Sequence, residues 1–317
     1  MQMLIDTDGG SDDIMAIAMA IKFTEKYPEH EITSITCVDG NVSLYQAYCN
    51  VRTLLEIMKR QDIEIVCGSF NPLIRKPVRA YETHGRDGVG DLGLSNNYDD
   101  FRSAMKKAAL KIAKAAKSGA RIVCLGPLTN IAMACKLYPE EMYNADIWFM
   151  GTPGFGEGNV TPNVEFNMFQ DPEAANIVFT SCSEIHIIGW DMCLGNALFN
   201  PEDAKMLSDS SELGKYLVKI NETLSKMNDI RFGNETLDLA DPVAMAIALY
   251  PSIAQFEDCP CIVDTNPGIN YGSVVMDKYR LFGIDDLVEM NFNSHKVCRF
   301  LDSRQFKKVV FDLLGGK

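Results

Sequence analysis

The chain has 317 residues, of which 47% are hydrophobic and 23% are charged, a composition typical of globular proteins with a buried apolar core. Its formal net charge of −13 makes a nucleic-acid backbone or an anionic membrane an unfavourable partner. The sequence contains neither a membrane-spanning apolar run nor a signal-peptide pattern, and its ten cysteines form no C-x-x-C pair. We therefore expect a cytoplasmic protein with reduced, buried thiols.

Strand-like and helix-like segments alternate from the N-terminus, a pattern typical of βαβ units and a mainly parallel sheet. The predicted strands are Met3–Ile5, Ile32–Val38, Ile63–Cys67, Arg121–Leu125, Asp146–Met150 and Glu184–Ile188. The predicted helices are Asp12–Tyr27, Ser43–Arg60, Phe101–Lys117, Leu128–Leu137 and Pro172–Thr180. The first helix is apolar nearly all round, so we expect it to be buried.

The pattern changes in the last third of the chain. Helices are predicted there at Pro201–Leu207, at Glu212–Met227 and after Asp241, and short strands at Tyr271–Val275 and Lys296–Leu301. The sequence contains no linker, so it predicts a single α/β domain over residues 1–317. Its expected architecture is a Rossmann-like, mainly parallel sheet flanked by helices, with an appended α-rich part and a C-terminal strand meander. Ligands of such sheets bind beyond the carboxyl ends of the strands, where this chain has loops rich in Gly, Asn and Asp.

Four carboxylates follow the first predicted strand within eight residues, in the segment Asp6-Thr7-Asp8-Gly9-Gly10-Ser11-Asp12-Asp13. Anions this close repel one another, and a helix N-terminus stabilises each by only about 1 kcal/mol at most. A bound cation would offset the repulsion. Because the motif contains neither Cys nor His, its oxygen ligands indicate Ca²⁺ or Mg²⁺. A single Asp here would equally suit a helix cap, but four acids around two glycines favour a cation site.

Two other acidic loops resemble this segment in part. An EF-hand would need Gly and Glu where this chain has Ser11 and Ile17, so it is excluded. A Mg²⁺-dependent phosphatase of the haloacid-dehalogenase-like type would use Asp6 as nucleophile and Asp8 as acid. Its motif ends in Thr or Val, whereas this chain has Gly10. The phosphatase stays an alternative.

The segment DTDGGSDD resembles DxDPGxDD, the opening signature of the nucleoside hydrolase family of inosine-uridine-preferring N-ribohydrolases, with Gly9 in place of Pro. Further matching segments follow in the family's order: Val38–Asn41, His84–Gly90, Leu125–Ala132, Gly158–Pro162, Glu165–Asn167, Asp171–Ala175 and Ala240–Pro242. The resemblance implies Ca²⁺-dependent hydrolysis of the N-glycosidic bond of ribonucleosides to free base and ribose. It also implies a role in nucleoside salvage and a homo-oligomer, either a dimer or a tetramer.

The resemblance also implies roles for individual residues. The Ca²⁺ ligands would be the carboxylates of Asp8, Asp13 and Asp241 and the main-chain carbonyl of Thr129. The ion would hold the attacking water and the ribose diol, and Asp8 would be the general base. Substrate-binding residues would be Asp12, Asn41 and Asn167 at the ribose hydroxyls, Asn159 and Glu165 at the 5′-hydroxyl, and His84 in the same site. Carboxylates around the sugar would stabilise an oxocarbenium-like transition state.

The chain departs from the family at Ala240, where many members carry a histidine that is thought to assist departure of the base. Possible leaving-group contacts are Asn228 and Arg231, and Phe232 or Trp190 could stack on the base. Each of these four also has an ordinary interpretation as a surface charge or a core side chain. Without the histidine, an alternative function is that of a catalytically weak or inactive nucleoside- or ribose-binding homologue.

Overall fold

Nine strands form one sheet in a computed structural model that describes residues 1–93, 98–105, 107–279, 281 and 292–316. The strands are β1 (Gln2–Thr7), β2 (Glu31–Cys37), β3 (Ile65–Cys67), β4 (Arg121–Cys124), β5 (Ile147–Met150), β6 (His186–Ile188), β7 (Ala254–Val263), β8 (Val274–Met276) and β9 (Ser294–Leu301). Their order is β3-β2-β1-β4-β5-β6-β9-β7-β8. The mainly parallel sheet and its first six strands are therefore confirmed, with ends that differ from the predicted ones by at most two residues.

The strand order reverses at β1, which lies between β2 and β4 and runs parallel to both. At such a switch point the chain leaves neighbouring strands in opposite directions, and a crevice opens beyond their carboxyl ends. Asp6 pairs in register with Thr36 of β2 and Cys124 of β4. The acidic turn that follows Asp6 therefore lies at the mouth of this crevice.

Helices cover both faces of the sheet. They are α1 (Ser11–Lys26), α2 (Leu44–Ile57), α3 (Tyr81–His84), α4 (Phe101–Ala104), α5 (Ala108–Lys117), α6 (Thr129–Leu137), α7 (Pro139–Met142), α8 (Phe166–Gln170), α9 (Pro172–Ser181), α10 (Pro201–Ser210), α11 (Glu212–Ile220), α12 (Glu222–Phe232), α13 (Ala240–Leu249) and α14 (Ser303–Leu314). Helices α1, α2, α13 and α14 contribute to one apolar core, and α5, α6 and α9 to the other. Side chains of β1 alternate between the cores, with Met3 and Ile5 in the first and Leu4 in the second.

The predicted burial of α1 and of the thiols is confirmed, since α1 packs against α13 and all ten cysteines are free and buried. Of the described helices, none combines the length and apolar content that a membrane crossing requires. The α-rich part is also confirmed, as α10 to α13 between β6 and β7. The single domain over residues 1–317 stays a prediction.

Two helix predictions were wrong in detail. The helix predicted at Phe101–Lys117 is two helices, α4 and α5, and Lys106 lies outside the described residues. The helix predicted at Glu212–Met227 divides at Asn221, whose amide donates to the carbonyls of Leu217 and Ser11 and so ends α11 against the start of α1. The expected C-terminal meander extends the main sheet, because β9 pairs with β6 and lies between β6 and β7. Strand β7 and helix α14 were not predicted.

Candidate active site

Loops that follow four parallel strands line a cavity of about 450 Å³ at the switch point. Asp12 lies beyond β1, Asn41 beyond β2 and Leu125 beyond β4, while Met150 ends β5. Helices α3, α12 and α13 supply further lining residues. The cavity therefore lies where the topology places the ligand sites of open α/β sheets.

The acidic turn folds back on itself between β1 and α1. The Thr7 hydroxyl donates to Asp13 Oδ1 (2.5 Å), and the Gly10 N–H donates to Asp13 Oδ2 (2.8 Å). Gly9 adopts φ +72°, a left-handed conformation that proline cannot take. A turn with proline at this position, as in the family signature, must therefore differ in backbone conformation from the turn seen here.

Four buried carboxylates converge beside this turn. Asp12, Asp13 and Asp241 offer oxygen atoms that all lie within 4.8 Å of one another. Asp8 joins them through Asn41, whose N–H donates to Asp8 Oδ2 (2.6 Å) and whose amide donates to both Asp8 Oδ1 (3.2 Å) and Asp13 Oδ2 (3.3 Å). The fold thus brings together the three carboxylates predicted as metal ligands, and it adds Asp12, predicted as a ribose contact, to the same group.

The acids of this cluster are held in an environment that disfavours their charge. Burial raises the pKa of Asp8 and Asp241 well above their ordinary values, and neighbouring carboxylates of the cluster raise it further. Burial, together with Asp13, raises the pKa of Asp12 to about 8. Among the described residues, no lysine or arginine lies within 4.0 Å of these carboxylates in an ion pair. Their oxygens suit a hard divalent cation, which would supply the missing positive charge.

His84 lies beside the cluster without neutralising it. Its Nδ1 is 2.9 Å from the Ser11 hydroxyl and 3.7 Å from Asp12 Oδ1. Burial and the positive charge of Arg231 lower the pKa of His84 to about 4, so the ring is neutral near pH 7. His84 can therefore hydrogen-bond a ligand in the cavity, but it adds no charge.

Glu165 begins α8 as its N-cap. Its Oε2 accepts hydrogen bonds from the N–H groups of Asn167 (3.0 Å), Met168 (3.3 Å) and Thr152 (3.2 Å). Burial raises the pKa of Glu165 to about 7 despite these donors. Asn159 lies on the same wall, and its Oδ1 accepts from the N–H of Phe166 (2.9 Å). Their side chains line the cavity and are fixed by backbone hydrogen bonds.

Asn167 connects the loops after β4 and β5. Its Nδ2 donates to the carbonyl of Leu125 (2.7 Å) and to that of Met150 (3.0 Å). Both donor hydrogens are thereby used, so the side-chain oxygen is the group that remains for a ligand. Asn167 also lines the cavity.

Thr129 begins α6, and its side chain does not point to the acid cluster. The hydroxyl donates to Asp171 Oδ2 (2.7 Å), the carboxylate that caps α9. The turn that precedes Thr129 does approach the cluster, since a Cβ on Gly126 would lie 3.0 Å from the Asp8 Cβ. The contacts described for Thr129 involve its hydroxyl, and none joins its carbonyl to the acids.

The residues predicted near the leaving group separate into two groups. Arg231 and Trp190 line the cavity, and Arg231 forms no ion pair within 4.0 Å among the described residues. Asn228 is fully buried, with its Nδ2 on the carbonyl of Thr236 (3.0 Å) and on Asp238 Oδ1 (2.7 Å). The structure does not bring Asn228 to the cavity. Phe232 stacks on Trp190 at 6.4 Å between ring centroids and does not line the cavity either.

Asp238 and Arg79 also line the cavity, although neither was predicted from the sequence as a site residue. Asp238 accepts a hydrogen bond from Trp190 Nε1 (3.0 Å), and Arg79 forms a two-point ion pair with Asp39. The local signal for Asp238 was a carboxylate two residues before Ala240, which an ordinary surface loop could also carry. Arg79 had no local signal, because its partner lies 40 residues away in the sequence.

Asp6 is unsuited to the role of a phosphatase nucleophile. It is completely buried within β1, where it accepts hydrogen bonds from the Thr36 hydroxyl and from Asn130 Nδ2 (2.8 Å) instead of facing the acid cluster. A nucleophile must reach its substrate, so this geometry disfavours the phosphatase alternative.

Comparisons with known proteins agree with this geometry. The family model described as inosine-uridine preferring nucleoside hydrolase matches residues 3–308. The non-specific ribonucleoside hydrolase RihC of Escherichia coli is 33% identical over 317 residues, which cover 99% of this chain and 98% of the relative. Uridine nucleosidase 1 of Arabidopsis thaliana is 32% identical over 286 residues, which cover 87% and 82%. Among solved structures, the plant nucleoside hydrolase PpNRh1 matches with a TM-score of 0.90 at 28% identity, over 100% of this chain and 99% of that chain.

Proposed function

Because the chain belongs to the inosine-uridine preferring nucleoside hydrolase family, we propose that it hydrolyses ribonucleosides to free base and ribose with a bound Ca²⁺ and with Asp8 as general base. Enzymes of this family cleave the N-glycosyl bonds of nucleosides, and this chain is an enzyme of the family. The observation that carries the proposal is the cluster of four buried carboxylates, which forms no ion pair with a lysine or arginine among the described residues and reaches the cavity through Asp12 and Asp241.

The proposed ligands of the ion are the carboxylates of Asp8, Asp13 and Asp241 and the carbonyl of Thr129. When bound, Ca²⁺ would lower the pKa of a coordinated water and hold the ribose diol. The oxygen-only donor set and the raised pKa values of the acids support a hard cation at this place. Asp12 is close enough to Asp13 and Asp241 to share the ion, in addition to its proposed contact with a ribose hydroxyl.

Asp8 is the proposed general base. Asn41 donates to both of its carboxylate oxygens, which fixes the plane of the carboxylate toward the cluster. An oriented carboxylate can take a proton from the attacking water as the glycosidic bond breaks. The charge of a bound cation would keep Asp8 ionised despite its burial.

The ribose is proposed to contact Asp12, Asn41 and Asn167 through its ring hydroxyls, and Asn159 and Glu165 through its 5′-hydroxyl. All five line the cavity, and His84 lines it as well, as a neutral hydrogen-bonding partner. Buried polar groups that each need a hydroxyl would make the site reject substrates that lack one. The carboxylates would also stabilise positive charge on the sugar in the transition state.

Departure of the base is proposed to involve Arg231. Ala240 offers no proton donor, whereas the Arg231 guanidinium lines the cavity and always carries its charge. A cation near the departing base would stabilise negative charge that develops on it. Trp190 lines the same wall and offers an aromatic surface for the base. Asn228 would act at a distance, by holding Asp238.

The experiment that tests the proposal measures base release from purine and pyrimidine ribonucleosides by chromatography. The protein would be assayed as purified, after chelation, and after addition of Ca²⁺ or Mg²⁺. We expect activity to disappear on chelation and to return with Ca²⁺. Activity that is indifferent to chelation would contradict the metal-dependent mechanism. Binding of a nucleoside without base release would instead support the binding homologue that Ala240 suggests.

A matched pair of variants tests the ligand assignment in the same assay. Asp241 and Asp302 both lie at the start of a helix, but only Asp241 belongs to the acid cluster. We expect Asp241→Asn to lose its response to Ca²⁺ and Asp302→Asn to keep it. Nucleoside salvage, the cytoplasmic location and assembly as a dimer or tetramer stay predictions.

A further inference from the structure

Asp238 is a buried carboxylate on the cavity wall that the proposed reaction does not use. It lies in the turn between α12 and α13, is 4% exposed, and lines the cavity with Trp190, Arg231 and Ala240. Its oxygens accept from Trp190 Nε1 (3.0 Å) and from Asn228 Nδ2 (2.7 Å). Both donors are neutral, and no ion pair within 4.0 Å reaches Asp238 from the described residues.

The carboxylate of Asp238 keeps capacity to accept further hydrogen bonds. An ionised carboxylate has about four lone-pair positions, and two neutral donors occupy only part of them. Burial of a charge is costly unless hydrogen bonds satisfy it. Burial raises the pKa of Asp238, whereas the hydrogen bonds from Asn228 and Trp190 and the positive charge of Arg231 lower it. A donor on a bound ligand would complete this environment.

The neighbours of Asp238 hold it in place. Asn228 uses both N–H bonds of its amide, one on Asp238 and one on the carbonyl of Thr236, and it does not line the cavity. The indole N–H of Trp190, which also lines the cavity, donates to the second oxygen of the carboxylate. Asp238 is therefore a rigid acceptor that faces a ligand-sized space.

Asp238 and Arg231 line the cavity together with Ala240, whose methyl group cannot form a hydrogen bond. A nucleobase presents N–H donors and ring acceptors along one edge, which complement a fixed carboxylate and an arginine. We propose that Asp238 is a specificity-determining residue that accepts a hydrogen bond from an N–H of the nucleobase. This inference rests on the proposed function. It favours ribonucleosides whose base carries a ring N–H, such as hypoxanthine or uracil, over their N-methylated forms.

The test compares inosine with 1-methylinosine, and uridine with 3-methyluridine, in the wild type and in Asp238→Asn. Dissociation constants and kcat/KM are both measured, and p-nitrophenyl riboside serves as a substrate without a nucleobase. We expect the preference for the N–H form to fall by about tenfold or more in the variant, the loss typical of a hydrogen bond to a charged group. The kcat/KM for inosine should fall by a similar factor relative to that for p-nitrophenyl riboside.

One variant controls for structural effects. Asp229→Asn removes the same charge from an exposed position of α12 and should leave the preference unchanged. The fluorescence of Trp190, measured with Trp148→Phe in the background, reports whether Asp238→Asn disturbs the wall.

The outcomes separate this inference from the proposed reaction. Hydrolysis with an unchanged preference in Asp238→Asn, or an equal loss for every substrate, overturns the role of Asp238 and keeps the reaction. If the protein binds nucleosides with a preference that depends on Asp238 but hydrolyses none of them, the role of Asp238 is supported and the proposed hydrolysis is overturned. Absence of both hydrolysis and selective binding in the wild type overturns both.

Discussion

Arg79 donates hydrogen bonds to both carboxylate oxygens of Asp39, with Nη1 2.8 Å from Oδ2 and Nη2 2.7 Å from Oδ1. The same guanidinium donates to the carbonyl of Gly40 (3.1 Å), and the N–H of Ala80 donates to the carbonyl of Asn41 (3.1 Å). Two loops of the cavity are thus joined immediately beside Asn41. Since Asn41 orients the proposed general base, the ion pair between Arg79 and Asp39 helps to position that base.

Arg79→Lys is expected to lower kcat/KM for nucleosides by about tenfold or more, because a misplacement of about 1 Å can cost about 100-fold. Lysine keeps the charge but cannot make the two-point contact. Steady-state kinetics with inosine and uridine provide the measurement. Arg60→Lys is the control, since Arg60 makes a similar two-point pair with Asp62 on an exposed loop. Equal effects of the two substitutions would show that Arg79 has no positioning role.

The variants Asp8→Asn and Asp12→Asn distinguish the proposed general base from the neighbouring ribose contact. We expect Asp8→Asn to lower kcat by about 100-fold or more, the range that general-base catalysis contributes. Asp12→Asn should mainly raise KM, because its proposed contact is a ribose hydroxyl. Kinetics and calorimetric titration with Ca²⁺ measure both effects. If Asp12→Asn loses Ca²⁺ binding while Asp8→Asn retains it, Asp12 takes the place of Asp8 among the ligands.

The parts of the fold that depend on local signals were accessible from the sequence. Six strands follow from short apolar runs, and the acidic turn follows from glycines and acids at a strand end. Helix α14 also had such a signal, since its buried Phe306, Val310 and Leu313 repeat at helical spacing. The sequence of β7 gave little indication of a strand, because it contains charged residues such as Glu257. In the fold this side chain is stabilised by a cross-strand ion pair with Arg299, which local sequence does not reveal.

The parts of the site that depend on residues far apart in the chain could not be predicted from the sequence. Asp238 becomes a rigid acceptor only when Trp190, 48 residues earlier, reaches it with its indole N–H. The break in the helix predicted at Glu212–Met227 depends on a contact between Asn221 and the start of α1, 210 residues away. Neither periodicity nor residue type indicates such contacts, because they arise from tertiary packing.

Gly9→Pro is expected to destabilise the acidic turn and to abolish Ca²⁺ binding. Proline holds φ near −65°, whereas Gly9 adopts +72°, and a Cβ here would lie 2.6 Å from the Ala47 Cα. Urea unfolding and calorimetric titration measure the two effects. Gly119→Ala is the control, because Gly119 has φ +74° but nothing within 4 Å of an added Cβ, so only backbone strain of about 1 kcal/mol is expected. A fully active Gly9→Pro would contradict the turn conformation.

The stability of the metal-free protein is expected to fall as pH rises, in part through Glu165. Burial raises the pKa of Glu165 from 4.5 to about 7, so between these values the unfolded chain releases a proton that the folded chain retains. The contribution of Glu165 is therefore fully present below pH 4.5 and is lost by about pH 7, above which it no longer changes.

Glu165→Gln removes this titration while keeping the shape of the side chain. We expect the free energy of unfolding of the wild type to fall, relative to that of the variant, as pH rises from 4.5 to about 7. Urea unfolding at several pH values in the presence of a chelator provides the measurement. Glu202→Gln, at an exposed position of α10, is the control for loss of one carboxylate and should change stability by about 0.5 kcal/mol at most. A constant difference between wild type and Glu165→Gln across this range would mean that Glu165 releases its proton at the same pH in both states.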